Sequence, residues 1–215
     1  MHKATLYIVA TPIGNLQDIT LRAIDVLKSV NYIACEDTRK TGFLLKSIGA
    51  EDGPMLISYY EQNELSRIPN IINILKNGQD VALVSDSGTP TISDPGFKLV
   101  RECLKEGFKV VSIPGPSAGV SALVSSGLPT DKFIFLGFLP KKEGHRTRLL
   151  EELKGSNNQL EATVIIYEAP HRLVKSLDSI HSVFGNIQIT LMRELTKIHE
   201  ERISDSIDGL IEKYE

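Results

Sequence analysis

The first half of the chain alternates short apolar runs with segments whose apolar residues recur at helical spacing. The apolar runs are residues 6–10, 32–35, 55–59, 81–84 and 110–113. An amphipathic segment follows each of the first four runs, and one of these segments carries Ile68, Ile71, Ile72 and Leu75. Because strands that alternate with helices form a mainly parallel sheet with helices on both faces, the sequence predicts an α/β fold.

A cluster of turn-forming residues interrupts this alternation at residues 126–131. We place a domain boundary there, with a first α/β domain over residues 1–127 and a second, smaller α/β domain over residues 128–215. In the second domain, the sequence predicts strands at residues 133–139, 163–167 and 187–192 and helices around residues 149–153 and 173–183.

Charge, cysteine and histidine content argue against nonspecific nucleic-acid coating, a disulfide framework and a metal site. The formal net charge of −3 disfavours a protein that coats nucleic acid without specificity, although a local basic patch is compatible with RNA binding. Cys35 and Cys103 lie in apolar segments, so we expect buried thiols rather than a disulfide. The histidines have no metal-ligand spacing with these cysteines, so we expect no metal site.

The sequence predicts neither a membrane span nor a signal peptide. No segment approaches the roughly 20 consecutive apolar residues that a bilayer requires. Met1-His2-Lys3 leads into a short strand-like run rather than into the longer apolar core of a signal peptide. We therefore expect a cytoplasmic protein.

Four polar or glycine- and proline-rich loops follow predicted strands of the first domain. In a parallel sheet these loops meet at the carboxyl edge, which is where ligands bind in this fold class. The sequence therefore predicts a ligand site at that edge. The loops are Thr11-Pro12-Ile13-Gly14-Asn15, Glu36-Asp37-Thr38-Arg39, residues 85–90 and Pro114-Gly115-Pro116-Ser117-Ala118.

The loop that follows residues 81–84 carries two acidic residues for which we predict different roles. Asp86 lies too far upstream to cap the next helix, so we predict that it contacts a small polar ligand. Asp94 precedes Pro95, and proline is favoured at the first position of a helix. We therefore predict that Asp94 caps that helix, with ligand contact as the alternative.

Two common nucleotide-binding motifs are absent from the sequence. There is no Gly-x-x-x-x-Gly-Lys phosphate loop and no Gly-x-Gly-x-x-Gly after a strand, which disfavours a nucleoside triphosphatase and an ordinary dinucleotide dehydrogenase. The chain carries instead an ordered set of motifs between about residue 6 and about residue 200. They are Thr11-Pro12-Ile13-Gly14-Asn15-Leu16, Asp18-Ile19-Thr20, Glu36-Asp37-Thr38-Arg39, residues 84–90, Asp94-Pro95-Gly96, Pro114-Gly115-Pro116-Ser117 and Tyr167-Glu168-Ala169-Pro170-His171-Arg172.

This set of motifs resembles the tetrapyrrole-methylase superfamily, and within it the branch that methylates a cytidine ribose 2′-hydroxyl of small-subunit ribosomal RNA. The resemblance implies two α/β domains with S-adenosylmethionine in the cleft between them, S-adenosylhomocysteine as product, no metal, and a homodimer. The implied partner is small-subunit ribosomal RNA, free or in the assembled subunit. The implied cofactor contacts are Pro12, Val84, Ser85, Asp86, Thr89, Ser117, Ala118 and, from the second domain, Tyr167.

Methyl transfer to a ribose hydroxyl requires loss of the hydroxyl proton. We expect Glu168 or Glu36 to accept this proton or to orient the hydroxyl. Arg39 and Arg172 are expected to bind phosphate, and His171 is a further catalytic candidate. Structural alternatives stay open, because Glu36-Asp37 are also suited to cap a helix and His171-Arg172 to form a solvated helix start.

A basic segment lies near the start of the second domain. It suits an RNA backbone, but a run of charges is more commonly a solvated face, so both interpretations stay open. The segment contains Lys141, Lys142, His145, Arg146 and Arg148 beside Phe138 and Pro140.

Two other functions also stay open. One is C-methylation of a precorrin or uroporphyrinogen, although enzymes of that kind tend to carry a glycine-rich first loop. The other is a catalytically silent protein that binds the cofactor or RNA without turnover. Members of the family that this chain resembles continue with a further strand past the point that corresponds to Glu215. We therefore expect the second domain to lack its last strand or strands.

Overall fold

The computed structural model describes residues 4–50 and 52–215. The chain divides into two compact units, one ending at Ala118 and the other beginning at Gly119. The turn-forming residues in the sequence predict this division later, after residue 127. Met1-His2-Lys3, on which the signal-peptide expectation rests, lie outside the described residues. Within the described residues, no helix is both long and apolar enough to cross a membrane.

The first unit contains a five-stranded sheet in which all neighbouring strands are parallel. The strand order is β3-β2-β4-β1-β5, so the carboxyl ends of β2, β4 and β1 lie side by side. The bounds are β1 (Thr5–Val9), β2 (Tyr32–Cys35), β3 (Met55–Ser58), β4 (Val81–Val84) and β5 (Lys109–Ile113).

Helices cover both faces of this sheet, as the alternating pattern predicts. They are α1 (Leu21–Ser29), α2 (Thr38–Ser47), α3 (Glu64–Lys76) and α4 (Phe97–Lys105). Because side chains alternate along a strand, adjacent residues of β4 enter different cores. Leu83 shares a core with Ile71 and Leu99 from α3 and α4, whereas Val84 shares one with Leu27 and Leu44 from α1 and α2. All residues of β4 are buried.

Both cysteines lie in these cores. Cys35 ends β2 and Cys103 is in α4, and each is a buried free thiol. The prediction of buried thiols without a disulfide is therefore confirmed. Burial raises the pKa of the Cys103 thiol to about 12, so it stays protonated at neutral pH.

Helix α5 (Ala118–Ser126) follows the β5 exit loop and is absent from the sequence prediction. Its sequence, AGVSALVSS, contains only small and apolar residues, so no polar face sets off an amphipathic stripe. Gly119 and Leu123 are buried, whereas Val120 and Val124 are exposed.

The second unit contains two two-stranded sheets. Strands β6 (Phe133–Phe138) and β7 (Thr163–Tyr167) are parallel, and strands β8 (Gln188–Arg193) and β9 (Glu201–Ser206) are antiparallel. The helices are α6 (Glu143–Leu160), α7 (Leu173–Phe184) and α8 (Ile207–Tyr214). One core contains Leu139 and Leu150, and another contains Leu177, Ile207 and Leu210.

Strand β9 and helix α8 are also missing from the sequence prediction. The sequence of β9 is ERISDS, which has one apolar residue and therefore little strand signal. Its strand conformation is stabilised by pairing with β8 along its whole length, from Gln188 opposite Ser206 to Arg193 opposite Glu201.

Candidate functional site at the carboxyl edge of the first sheet

The loops after β1 and β4 are joined by their backbones. The Thr11 amide donates to the Gly88 carbonyl at 2.9 Å, and the Gly88 amide donates to the Thr11 carbonyl at 3.0 Å. The Thr11 hydroxyl also donates to the Ser85 carbonyl at 3.3 Å. Gly88 has a φ of 80°, a conformation that side-chain-bearing residues rarely adopt, which explains glycine at this position.

The loop after β5 is hydrogen-bonded to the loop after β4. The Thr89 hydroxyl donates to the Pro116 carbonyl at 3.0 Å. Gly115 lies so close to β1 that a Cβ atom on it would be 3.0 Å from the Ala10 Cβ. The strand exits therefore meet at one edge of the sheet, as the parallel topology predicts.

Asp86 links the β4 exit to the β2 exit. Its Oδ1 accepts a hydrogen bond from the Asp37 amide at 3.1 Å, and its Oδ2 accepts one from Lys40 Nζ at 2.6 Å. The Asp86 amide in turn donates to Glu36 Oε2 at 3.2 Å. The side chain of Asp86 is 28% exposed, so these partners leave part of it accessible.

Asp37 caps helix α2 and holds Arg39. Its Oδ1 accepts from the Arg39 amide at 2.9 Å and from Arg39 Nε at 3.0 Å, and its Oδ2 accepts from Arg39 Nη2 at 2.7 Å. Hydrogen bonds from Arg39 hold the pKa of the Asp37 carboxyl well below its usual range. The capping alternative is therefore correct for Asp37, whereas Glu36 lies outside the helix and binds the Asp86 amide.

The prediction that Asp94 caps α4 is wrong. The helix begins at Phe97 after Gly96, and no side chain caps it. Two residues of this loop, Thr91 and Ser93, have left-handed φ angles of 74° and 62°, which turn the chain before the helix can start. Asp94 is instead half-buried, and its ionisation is influenced by Ser85, Glu36 and Asp86.

Burial makes two carboxyls of this edge hard to ionise. Burial, reinforced by the charge of Glu36, raises the pKa of Asp94 to about 6. Burial also raises the pKa of Glu36, with the charge of Asp86 adding to the effect. In contrast, the ion pair with Asp86 raises the pKa of Lys40 and keeps its ammonium charged.

A cavity of about 530 Å³ opens between helix α2 and the β1 and β4 loops. Its wall combines charged groups of both signs with apolar side chains. The lining residues are Thr11, Pro12, Leu16, Asp37, Arg39, Lys40, Thr41, Phe43, Leu44, Ser85 and Asp86.

The predicted cofactor contacts of the first unit divide into two groups. Pro12, Ser85 and Asp86 line the cavity. The others are not among its lining residues: Val84 is buried in β4, Thr89 binds the β5 loop through Pro116, and Ser117 and Ala118 are half-buried at the start of α5.

Tyr167 ends β7 in the second unit. Its hydroxyl accepts a hydrogen bond from the Gly119 amide at 2.8 Å, and its ring meets Phe135 and Phe138 edge-on, with centroids 4.9 and 5.7 Å away. These contacts fix the orientation of the ring. Contact between Tyr167 and the cofactor stays a prediction.

Glu168 and Arg172 form a partly buried pair. Glu168 Oε1 accepts from the Ala169 amide at 2.8 Å, and Oε2 accepts from the Ser176 hydroxyl and lies 3.4 Å from Arg172 Nη2. Arg172 Nη2 also donates to the Leu139 carbonyl at 2.6 Å. The two side chains are 8% and 16% exposed, whereas the neighbouring His171 is exposed in the short 3-10 helix Pro170–Arg172.

The basic segment is less uniform than its sequence indicates. Arg146 is buried, with Nε donating to the Ser179 hydroxyl at 2.7 Å and Nη2 to the Lys175 carbonyl at 3.2 Å. Arg146 is therefore not part of an exposed RNA-binding patch, because its donors hold α6 to α7. Lys141, Lys142 and His145 are exposed, and Arg148 pairs with Glu152.

Five cavity residues have no predicted role from the sequence: Leu16, Lys40, Thr41, Phe43 and Leu44. The signal that would have found Phe43 is its spacing, because it lies four residues after Arg39 and residues three and four apart share a helix face. Across residues 4–50 and 52–215, no group of three or more His, Cys, Asp or Glu side chains is placed to hold a metal ion.

Comparison with known proteins identifies the family to which this chain belongs. The sequence profile of the family Tetrapyrrole (Corrin/Porphyrin) Methylases matches residues 5–210. Two similar proteins are named ribosomal RNA small subunit methyltransferase I. The one from Hydrogenobaculum sp. is 50% identical over 97% of this chain and 88% of its own length, and the one from Thermotoga maritima is 44% identical over 98% and 91%.

A solved structure with the same fold is the uroporphyrin-III-C-methyltransferase from Thermus thermophilus. It superposes with a TM-score of 0.65 at 18% identity, covering 96% of this chain and 87% of that one. At that identity the likeness supports the fold alone. The family profile over residues 5–210 and the identities to these two relatives show that the chain belongs to the tetrapyrrole methylase family.

Proposed function

We propose that this protein transfers a methyl group from S-adenosylmethionine to a cytidine ribose 2′-hydroxyl of small-subunit ribosomal RNA. The observation that carries the proposal is the 44–50% identity, over nearly the whole chain, to relatives named for that RNA. The chain also keeps the Glu168 to Arg172 motif and lacks a glycine-rich first loop, which favours RNA over a tetrapyrrole as the methyl acceptor.

The residues at the carboxyl edge of the first sheet suit the proposed cofactor. S-adenosylmethionine supplies a methyl group on a positively charged sulfur and carries an ammonium, a carboxylate and ribose hydroxyls. The cavity of about 530 Å³ is within the range of about 300–1,000 Å³ common for small-molecule sites. Its wall offers the partly exposed Asp86 carboxylate to donors, and the Pro12 and Ser85 loops to the rest of the ligand.

The chain must also accept a proton, because a protonated ribose hydroxyl is a poor nucleophile. We favour Glu36 over Glu168 for this role. Both oxygens of Glu168 are engaged by internal donors, and Arg172 lies beside them. Glu36 Oε2 binds the Asp86 amide, whereas its Oε1 accepts no hydrogen bond within the described part of the chain. Burial raises the pKa of Glu36, which brings it nearer to neutral pH and makes it a better proton acceptor.

The reaction forms two bonds, from oxygen to methyl carbon and from proton to base, and breaks two, from methyl carbon to sulfur and from hydroxyl oxygen to proton. The ribose oxygen bonds to the methyl carbon as the carbon–sulfur bond breaks, the sulfur keeps the electron pair, and the hydroxyl proton leaves to the base. The products are the 2′-O-methyl ribose and S-adenosylhomocysteine. The contribution of the protein is alignment of the two reactants and a site for the proton.

Labelled S-adenosylmethionine tests this proposal. The protein is incubated with small ribosomal subunits that lack the modification and, separately, with uroporphyrinogen. We expect label in 2′-O-methylcytidine after nuclease digestion, located by mass spectrometry. Label in uroporphyrinogen alone would replace the proposal with tetrapyrrole methylation, and cofactor binding without transfer to either acceptor would indicate a silent binding protein.

Two further properties belong to the same proposal. A homodimer is supported by the family resemblance and by apolar surface on α5, where Val120 and Val124 are 49% and 69% exposed. Light scattering on the purified protein measures its mass. A cytoplasmic location follows from the proposed acceptor, because ribosomal subunits are assembled there.

A further inference from the structure

We propose that the face of helix α2 that lines the cavity receives the target nucleotide, with Phe43 stacked on its base and Arg39 bound to its phosphate. This inference rests on the proposed function and identifies where the RNA enters. Phe43 and Lys40 have no predicted role from the sequence. They are identified because they line the cavity.

Of the five α2 residues that line the cavity, Arg39, Lys40 and Phe43 are exposed and form this face, whereas Thr41 and Leu44 are buried. Phe43 lies four residues after Arg39 and three after Lys40, so its side chain lies next to each of theirs on the helix surface. All three line the cavity. Leu44 on the adjacent side is buried in the core below, which keeps the face turned outward.

Phe43 has the exposure expected of a stacking platform. It is 65% exposed, although it lies in a helix whose Leu44 and Leu45 are buried. Leu16, from the short 3-10 helix Leu16–Asp18 after β1, contributes a second exposed apolar side chain to the same cavity. Proteins recognise single-stranded RNA by stacking unpaired bases on exposed aromatic rings, and every base has a face that can stack.

Arg39 retains exposed N–H donors that can bind a phosphate. A guanidinium has five N–H donors, and the bonds to Asp37 use Nε and one hydrogen of Nη2. The side chain is 89% exposed, so the remaining donors face solvent. Because Asp37 fixes the plane of the guanidinium, less conformational entropy is lost when these donors bind an anion.

The position of the face favours the nucleotide over the cofactor. Methyl transfer requires the two reactants in contact, with the reacting atoms about 3–3.5 Å apart. The predicted cofactor contacts Pro12, Ser85 and Asp86 are on the loop wall of the cavity, and α2 forms the other wall. Lys40 joins the two walls through Asp86.

The decisive variant is Phe43→Ala, compared with Phe43→Tyr and with the matched control Phe97→Ala. Phe97 is 63% exposed in the same unit and is not among the residues that line the cavity. We expect Phe43→Ala to weaken binding of unmodified small subunits by about 5- to 150-fold, the range for loss of base stacking. Phe43→Tyr should restore binding, and S-adenosylmethionine affinity by calorimetry should stay at the wild-type value in all three variants.

Salt dependence tests the phosphate contact. Arg39→Gln should lower the slope of log K against log salt concentration by about 1. Equal RNA affinity for Phe43→Ala and wild type would overturn the inference, as would a loss of cofactor affinity or a changed oligomeric mass in that variant. Because RNA binding is measured without turnover, a wild-type protein that binds subunits through Phe43 but transfers no methyl group would overturn the proposed function alone.

Discussion

Asp86 and Glu168 are acidic residues at the ends of parallel strands, β4 and β7, yet they are held in different ways. Asp86 takes its hydrogen-bond donors from another strand exit, because the Asp37 amide and Lys40 are more than 45 residues away in sequence. Glu168 takes its donors from Ala169, Arg172 and Ser176, which follow it closely. Asp86 lines a cavity and its side chain is 28% exposed, against 8% for Glu168.

The difference shows what a polar residue at a strand exit contributes. Asp86 connects two loops across the sheet edge, and part of its surface remains for a ligand. Glu168 completes a local turn and neutralises the partly buried Arg172. The two sequence motifs carry the same kind of signal, but in the structure the first lies at a junction of loops and the second forms a local turn.

The largest effect is expected for Glu168→Ala. Removing this carboxylate leaves Arg172 poorly solvated and without its charge partner, so the free energy of unfolding should fall by about 3 kcal/mol. Denaturant unfolding measures this loss. Glu168→Gln, which keeps an acceptor for the Ala169 amide, should lose less. If the free energy of unfolding fell less in Glu168→Ala than in Asp86→Ala, Asp86 rather than Glu168 would be the more important of the two for stability.

A smaller effect is expected for Asp86→Ala. Its loss removes the acceptor of the Asp37 amide, so the free energy of unfolding should fall by about 1–2 kcal/mol. Cofactor affinity, measured by calorimetry, should weaken by about 1–3 kcal/mol if the carboxylate also binds the ligand. Asp86→Asn retains an acceptor and should recover most of the stability. Unchanged affinity in both variants would make Asp86 a purely structural link.

The smallest effect is expected for Asp94→Asn, and it depends on pH. The folded-state pKa of Asp94, about 6, lies above the ordinary value of 3.8, so the folded state binds the proton more tightly than the unfolded state. The stability that Asp94 contributes is full below about pH 4 and is lost as the pH rises through 6. Asp94→Asn should therefore be more stable than wild type by about 1 kcal/mol at pH 7.5, allowing for partial solvent exposure.

Unfolding of Asp94→Asn and wild type at pH 3.5 supplies the control, because the two should there be equal in stability. A constant difference between pH 3.5 and 7.5 would show that the Asp94 carboxyl does not titrate as its surroundings indicate.

The sequence predicts the first unit better than the second. The bounds of β2 and β4 agree with prediction because these strands are buried on both sides and read as uninterrupted apolar runs. The meeting of the strand exits follows from parallel topology alone. In the second unit, β9 is polar and depends on a partner distant in space, so its local sequence carries little signal.

The candidate site is predictable only in part, for a comparable reason. Pro12, Ser85 and Asp86 stand in recognisable loops, and they line the cavity. Phe43 belongs to a helix, and its direction is set by where Asp37 starts that helix. The burial of Arg146 likewise depends on Ser179, which is remote in sequence. Such placements come from tertiary packing rather than from local pattern.

The paired hydrogen bonds between Thr11 and Gly88 have a consequence for protein engineering. Because both bonds run from main chain to main chain, this pair of bonds does not depend on the side chains that the two loops display. Substitutions at neighbouring surface positions, such as Leu16, can therefore be screened for altered acceptor range without removal of either bond. Gly88 is the exception, since its backbone conformation excludes most replacements.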